Sequence, residues 1–307
     1  MNKGSDVPML REPLLETNLP GAFHKGKVRD TYELENALLM VTTDRLSAYD
    51  SVLPGGIPGR GVVLSEISAL WLRYTQATIP NHFIGMAYEP DIISKYSLEN
   101  ISEDILSRSM VVKKAERIDV ECIVRGYITG SAWADYKMTG KVQGYPLPED
   151  LQESQQFAEP IFTPTTKEDS GHDQPLTLEE FWTEVGGNIA WPLEEHSLAL
   201  YTMATDLADS VGLILADTKF EFGFIDGKIH LIDELLTPDS SRYWNAETYA
   251  VGKPQESYDK QIVRNWLDET GWDRISPPPK PSEDVVAHTI ERYLEVYKKL
   301  TGKELIL

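Results

Sequence analysis

Ala216-Asp217-Thr218-Lys219-Phe220-Glu221-Phe222-Gly223-Phe224 decides how the rest of this chain is read. Side chains alternate across a β-strand, so Asp217, Lys219 and Glu221 share one face and Phe220, Phe222 and Phe224 the other. The aromatic face belongs on a core. The charged face then occupies the strongest strand signal in the chain, where a merely solvated surface carries mixed Thr, Ser and Lys. At about 3.3 Å per residue its charges stand roughly 7 Å apart, close enough for a bound ion or phosphate to link them. An exposed, salt-bridged hairpin is the plainer alternative.

The chain runs on through Asp226-Gly227, a hairpin turn, into Leu231-Ile232-Asp233-Glu234. Parity decides whether Asp233 joins Glu221. An odd number of loop residues puts both on one face; an even number turns Asp233 away, barring a bulge. A three-residue loop with Gly in the left-handed position is a common odd case. Two carboxylates meeting across an antiparallel pair make a hard-oxygen site suited to Mg²⁺ with bound phosphates.

Outward from the hairpin lie four polar segments. In Val124-Arg125-Gly126-Tyr127-Ile128-Thr129-Gly130-Ser131, a strand expected over 119–128 ends beside a helix expected over 132–138. Ser131 is placed to cap that helix, whose free N–H groups form an anion site, and Arg125 could fork onto a phosphate or carboxylate. Thr237-Pro238-Asp239-Ser240-Ser241-Arg242 gathers hydroxyls, a carboxylate and a guanidinium in the loop beyond Asp233, where binding groups tend to sit. Lys25-Gly26-Lys27-Val28-Arg29-Asp30 opens a first hairpin, with Gly26 permitting close backbone approach and Lys27 and Arg29 alternating to one face. It is neither a Walker A loop nor Gly-x-Gly-x-x-Gly. Thr43 to Asp50 is a further polar loop. Taken singly, each has a bland alternative: a capping Ser, a surface Arg, a polar turn.

The remaining elements outline an α+β protein. Strands are expected at 27–34, 37–42 and 110–114, and helices at 62–78, after the capping box Thr177/Glu180, at 194–211, 258–269 and 283–300. Pro146, Pro148, Pro160, Pro164 and Pro175 mark 143–175 as a long irregular segment. The expected organisation is a strand-rich lobe over 1–115, a mixed α/β lobe over 116–250 and C-terminal helices over 251–307.

Composition excludes several functions. The 307 residues carry a formal charge of −20, which gives no counterion-release drive toward nucleic acid and disfavours anionic membrane. Cys122 is the sole cysteine, so there is no disulfide framework or Cys-rich zinc site, and its apolar setting reads as core. The six His residues (24, 82, 172, 196, 230, 288) show no ligand spacing. No apolar leader or membrane-length stretch is evident, so a cytoplasmic protein without nucleic-acid or membrane partners, acting as a monomer, is expected.

Read together, five segments resemble the SAICAR synthetase family: Gly-Lys-Val-Arg-Asp at 26–30, Thr-Asp-Arg-Leu-Ser-Ala-Tyr-Asp at 43–50, residues 120–131, Ala-Asp-Thr-Lys-Phe-Glu-Phe-Gly at 216–223, and residues 233–244. Phe162 to Lys167 and Ser257 to Gln261 resemble the longer, single-function fungal-type members. The resemblance implies ATP-driven condensation of a carboxylated aminoimidazole ribotide with aspartate through an acyl phosphate, with ATP between a strand-rich lobe and a larger α/β lobe. It implies ATP and Mg²⁺ at Glu221 and Asp233, phosphates covered by Gly26, Lys27 and Arg29, and the ribotide held by Arg125, Ser131, Ser241 and Arg242. Asp217 and Lys219 would position the reacting carboxylate and γ-phosphoryl. By fold analogy, 111–114, including Lys114, would be the adenine hinge. Aspartate would bind near 44–50 or 237–242. A kinase-like phosphotransferase would share the ATP half only, and a non-catalytic nucleotide-binding regulator would be expected to lose a charge from the 217–221 face.

Overall fold

The structure, a computed structural model, describes residues 12–168 and 173–307. His172 lies outside the described residues. The first half builds β1 (Ala22–Lys25), β2 (Arg29–Glu33), β3 (Leu38–Thr42), the small hairpin β4 (Leu46–Ala48) and β5 (Ser51–Leu53), and α1 (Arg60–Thr75). It continues with β6 (Phe83–Met86), α2 (Pro90–Tyr96), α3 (Glu103–Leu106) and β7 (Ser109–Val112). Strands β1-β2-β3-β7-β6, in that order, form an antiparallel sheet. A turn at Glu35-Asn36 closes β2 onto β3, with Leu34 N–H donating to the Ala37 carbonyl at 3.0 Å.

The second half adds β8 (Glu116–Arg117), β9 (Val120–Tyr127), α4 (Gly130–Thr139), β10 (Lys141–Val142), β11 (Tyr145–Pro146), β12 (Gln156–Phe162) and β13 (Thr165–Thr166). Then come α5 (Leu178–Val185), α6 (Gly187–Ser210), β14 (Leu213–Ile225), β15 (Lys228–Ile232), β16 (Ser241–Asn245), α7 (Gln261–Glu269) and α8 (Glu283–Thr301). Strand β14, 13 residues long, is the axis of the larger sheet. Its first half lies between β9 and β16, its second between β8 and β15.

Phe220 and Phe222 are buried against the face that α6 covers, and Tyr201 of α6 donates to the Leu215 carbonyl at 2.6 Å. The same apolar cluster runs from Met40 and Val112 of the first sheet through Cys122, Phe220 and Leu231 to Tyr293 and Val296 of α8. One core therefore supports both sheets and the C-terminal helices. Cys122 is a buried member of it.

Two expectations change. Helix α6 begins at Gly187 rather than 194 and carries Pro192 inside, where the ring forfeits one backbone bond without ending the helix. The proline-rich 143–175 segment is not wholly irregular. It supplies β12 on the edge of the large sheet, with Pro160 in the stretch where the β9 register shifts, the position an edge strand tolerates. Among the described residues no helix is long and apolar enough to cross a membrane.

Candidate active site

The turn at the end of β14 has two residues, Asp226 (φ 50°) and Gly227 (φ 72°), and pairs Glu221 with Ile232. By strand alternation the even turn would point Asp233 away from Glu221. It does not, because Asp233 itself is left-handed, at φ 67°, just past the end of β15. That single dihedral breaks the alternation and turns its carboxylate toward Arg29, whose Nη2 donates to Oδ2 at 2.6 Å. Arg29 Nη1 lies 3.7 Å from Glu234.

The free face of β14 is joined by the same face of β9. Glu121 Oε1 accepts from Lys219 Nζ at 2.5 Å and from Lys167 Nζ at 2.8 Å. Glu221 Oε1 accepts from Lys167 at 2.6 Å and from Lys219 at 3.2 Å. Two carboxylates and two ammonium groups thus alternate around a closed ring. Burial alone would raise the Glu221 pKa, but Lys219 and Lys167 outweigh it and hold the carboxyl far below the usual range. The two glutamates correspondingly keep Lys219 charged despite its burial. Asp233 goes the other way: burial, with the negative charges of Glu221 and Glu234, pushes it up to about 6 in spite of Arg29.

Four residues along β14, a second charge cluster surrounds Asp217. Its Oδ2 accepts from Arg125 of β9 at 3.1 Å and from Arg242 of β16 at 2.5 Å. Arg125 also donates to Thr163 Oγ1 at 2.9 Å and to Ser131 Oγ at 3.3 Å. Arg242 Nε lies 3.7 Å from Asp259, which also meets Arg264 at 3.4 Å. Gly130, at φ 56°, opens α4 directly beneath the Arg242 guanidinium; a Cβ there would sit 2.6 Å from Nη2. Two guanidiniums and a helix N-terminus converge, a combination with the chemistry to hold an anion.

Not every expected residue arrives here as expected. Thr129 is the N-cap of α4, and Ser131 lies inside its first turn, so its hydroxyl faces Arg125 instead of capping. The Ser241 hydroxyl is buried and pairs with Thr218 Oγ1 at 2.8 Å, on the reverse face of the sheet. Asp217 is occupied by two arginines, so it orients them. Lys114 meets exposed Glu33 across the first sheet, without a contact to either cluster, although 113–115 does connect the two sheets. Lys27 is exposed and pairs with Asp50 at 2.7 Å. The Gly26 loop is clamped by Arg45, which donates to the Gly26 and Lys27 carbonyls at 2.9 and 3.0 Å.

The 44–50 and 237–242 candidates for aspartate are largely structural at their acidic ends. Asp44 is buried, accepting from Leu14 N at 2.9 Å, Gly61 N at 2.8 Å and Arg108 Nη1 at 2.7 Å. Asp239 is buried against Arg60, Lys260 (2.6 Å) and Tyr293 (2.7 Å). Glu121, Lys167 and Asp259 were absent from the expected set. Glu121 was within reach, two and four residues before Ile123 and Arg125 on one strand face; Lys167 gives no local signal.

The SAICAR synthetase family model matches residues 22–279. A phosphoribosylaminoimidazole-succinocarboxamide synthase from Thermodesulfovibrio yellowstonii is 48% identical over 95% of this chain and all of the relative. A solved SAICAR synthase from Saccharomyces cerevisiae, complexed with SAICAR, superposes with a TM-score of 0.86 at 39% identity, over 96% of this chain and all of that one. A solved SAICAR synthetase in complex with ADP shares the fold, at a TM-score of 0.68 and 24% identity over 92% and 99% of the two chains. The long form of the chain is therefore not confined to fungi, since the bacterial relative is matched end to end.

With these findings, the fold and its charged face define an ATP-dependent ligase that forms a C–N bond. The chain belongs to the SAICAR synthetase family. It condenses the carboxylated aminoimidazole ribotide with L-aspartate, using ATP, in purine biosynthesis.

Proposed function

We propose that the condensation runs through an acyl phosphate on the β9–β14 face, with the nucleotide phosphates near Glu221 and Asp233 and the ribotide phosphate near Arg125 and Arg242. A carboxylate is a poor acyl donor because its oxygen is a poor leaving group. One carboxylate oxygen attacks the γ-phosphorus, ADP departs, and the aspartate amine then adds to the acyl carbon. Phosphate leaves with that carboxylate oxygen, the amine loses a proton and the amide remains. The protein's task in the first step is to align and neutralise charge.

Lys219, and with it Lys167, would hold the reacting carboxylate against the γ-phosphoryl group. Gly26, Lys27 and Arg29 would cover the phosphates, while Arg125, Arg242 and the first turn of α4, including Ser131, take the ribotide phosphate. Asp217 orients both guanidiniums. The 113–115 connection, which includes Lys114, is the natural place for the adenine, between the lobes 1–115 and 116–250, with the C-terminal helices of 251–307 packed on the rest.

Mg²⁺ suits the residues present. Asp233 is a hard-oxygen donor whose carboxyl is pushed up to about 6 by burial, with Glu221 and Glu234 adding to the rise against Arg29, so a cation beside it would favour its charged form. Such an ion is held by one or two carboxylates together with substrate phosphates, so Glu221 and Asp233 would suffice on the protein's side. When bound, it would neutralise charge on the phosphate oxygens. A cytoplasmic monomer is part of the same reading.

The observation that carries the proposal is the single strip joining Glu221, Lys219, Asp217, Arg125 and Arg242. Turnover of ribotide labelled with ¹⁸O in its carboxylate tests it. Label in the released phosphate is the expected result; unlabelled phosphate would exclude the acyl phosphate.

A further inference from the structure

His82 takes no part in the chemistry above, yet it is buried, 3% exposed, at the junction of the two sheets. Its backbone is fixed on both sides. The N–H donates to the Leu231 carbonyl at 3.0 Å, and the carbonyl accepts from Lys113 at 2.7 Å. The imidazole is thereby placed with Nε2 3.2 Å from the backbone oxygen of Asp233. A carbonyl only accepts, so Nε2 carries the hydrogen.

Asp233 needs such a donor. It is a non-glycine residue at φ 67°, a conformation that persists only where surrounding contacts over-determine it. The two-residue turn means that an extended Asp233 would direct its carboxylate away from Glu221. We propose that His82 is a positioning residue: its Nε2–H pins the Asp233 carbonyl, keeps the residue left-handed, and so holds the carboxylate in the cleft beside Arg29 and Glu221. The assignment rests on the reading that Asp233 helps to hold the cation.

ADP binding by calorimetry, with Mg²⁺ and with EDTA, tests both parts separately. His82→Leu removes the donor at similar volume, and His82→Gln places an amide N–H where Nε2 was. The Mg²⁺-dependent gain in ADP affinity should fall about tenfold or more in His82→Leu, with metal-free ADP affinity within about twofold and most of the gain recovered in His82→Gln. An unchanged gain in His82→Leu, or an equal loss with and without metal, overturns the positioning role. Asp233→Asn is the control: if it keeps the full Mg²⁺ gain, the cation reading fails, whatever His82 does. Should His82→Leu not fold, ¹⁵N spectra of the wild-type imidazole decide. A hydrogen on Nε2 is expected, and a ring whose only hydrogen lies on Nδ1 overturns the proposal.

Discussion

Arg29 and Asp233 stand 204 positions apart in the chain, and their side chains meet at 2.6 Å. One belongs to the second strand of the small sheet, the other to the residue that ends the long hairpin. The pair joins the loop that would cover nucleotide phosphates to a carboxylate that would hold their counterion. Arg29→Met should therefore weaken Mg-ATP more than anything else. We expect KM for Mg-ATP to rise about tenfold or more, roughly 1.4 kcal/mol, with KM for aspartate little changed. Steady-state kinetics with each substrate varied in turn provides the check, and an unchanged Mg-ATP KM would contradict the pairing's role.

Lys167 completes the ring around Glu121 and Glu221 and should contact reacting groups once substrate arrives. Lys167→Met should lower kcat about 100-fold, the scale for losing one charge-stabilising donor, with far-UV circular dichroism unchanged. A variant within about threefold of wild type would make Lys167 a structural bridge.

Ser241 and Arg242 are neighbours in sequence but lie on opposite faces of the sheet. Arg242→Met should raise KM for the ribotide about 100-fold through loss of a charge-assisted phosphate contact. Ser241→Ala should leave that KM within about twofold and cost on the order of 1 kcal/mol of stability from the lost bond to Thr218. Equal effects of both on ribotide KM would place the Ser241 hydroxyl in the site after all.

Asp239 predicts how the fold responds to acid. Burial would raise its pKa, but Arg60 and Lys260 dominate and hold it well below the usual carboxylate range. A depressed folded pKa means stability that is full above the unfolded value of about 3.9 and is lost as pH falls through it toward the folded value. Asp239→Asn should cost about 3–5 kcal/mol at neutral pH, because Arg60 is left buried beside an uncharged partner. It should also flatten the decline in stability below about pH 4. Urea unfolding at several pH values measures both.

How much of this was legible in sequence follows from what each residue depends on. The alternation in 216–224 and the strand carrying Arg125 are local patterns, so the charged face, the aromatic face and the helix that follows that strand could be read directly. Asp233 could not be placed by parity, because its position depends on a left-handed dihedral that neighbours from the other sheet maintain. Ser241 was misplaced for a related reason: a polar loop looks alike whichever face its residues take once it enters a strand. Lys167 follows β13 in a proline-rich segment, and only the pairing of β13 with β9 carries it to the glutamates.

The central claim is that the Glu221 face performs the ATP-dependent step, and Glu221→Gln tests it most directly. ADP release should be measured with Mg-ATP, ribotide and aspartate together, alongside calorimetric binding of the ribotide to show that the fold and the Arg125–Arg242 cluster survive. The account predicts turnover reduced by at least about 1,000-fold with ribotide affinity retained. Wild-type ADP release from a folded Glu221→Gln enzyme would contradict it, and the nucleotide phosphates would have to be sought away from this face.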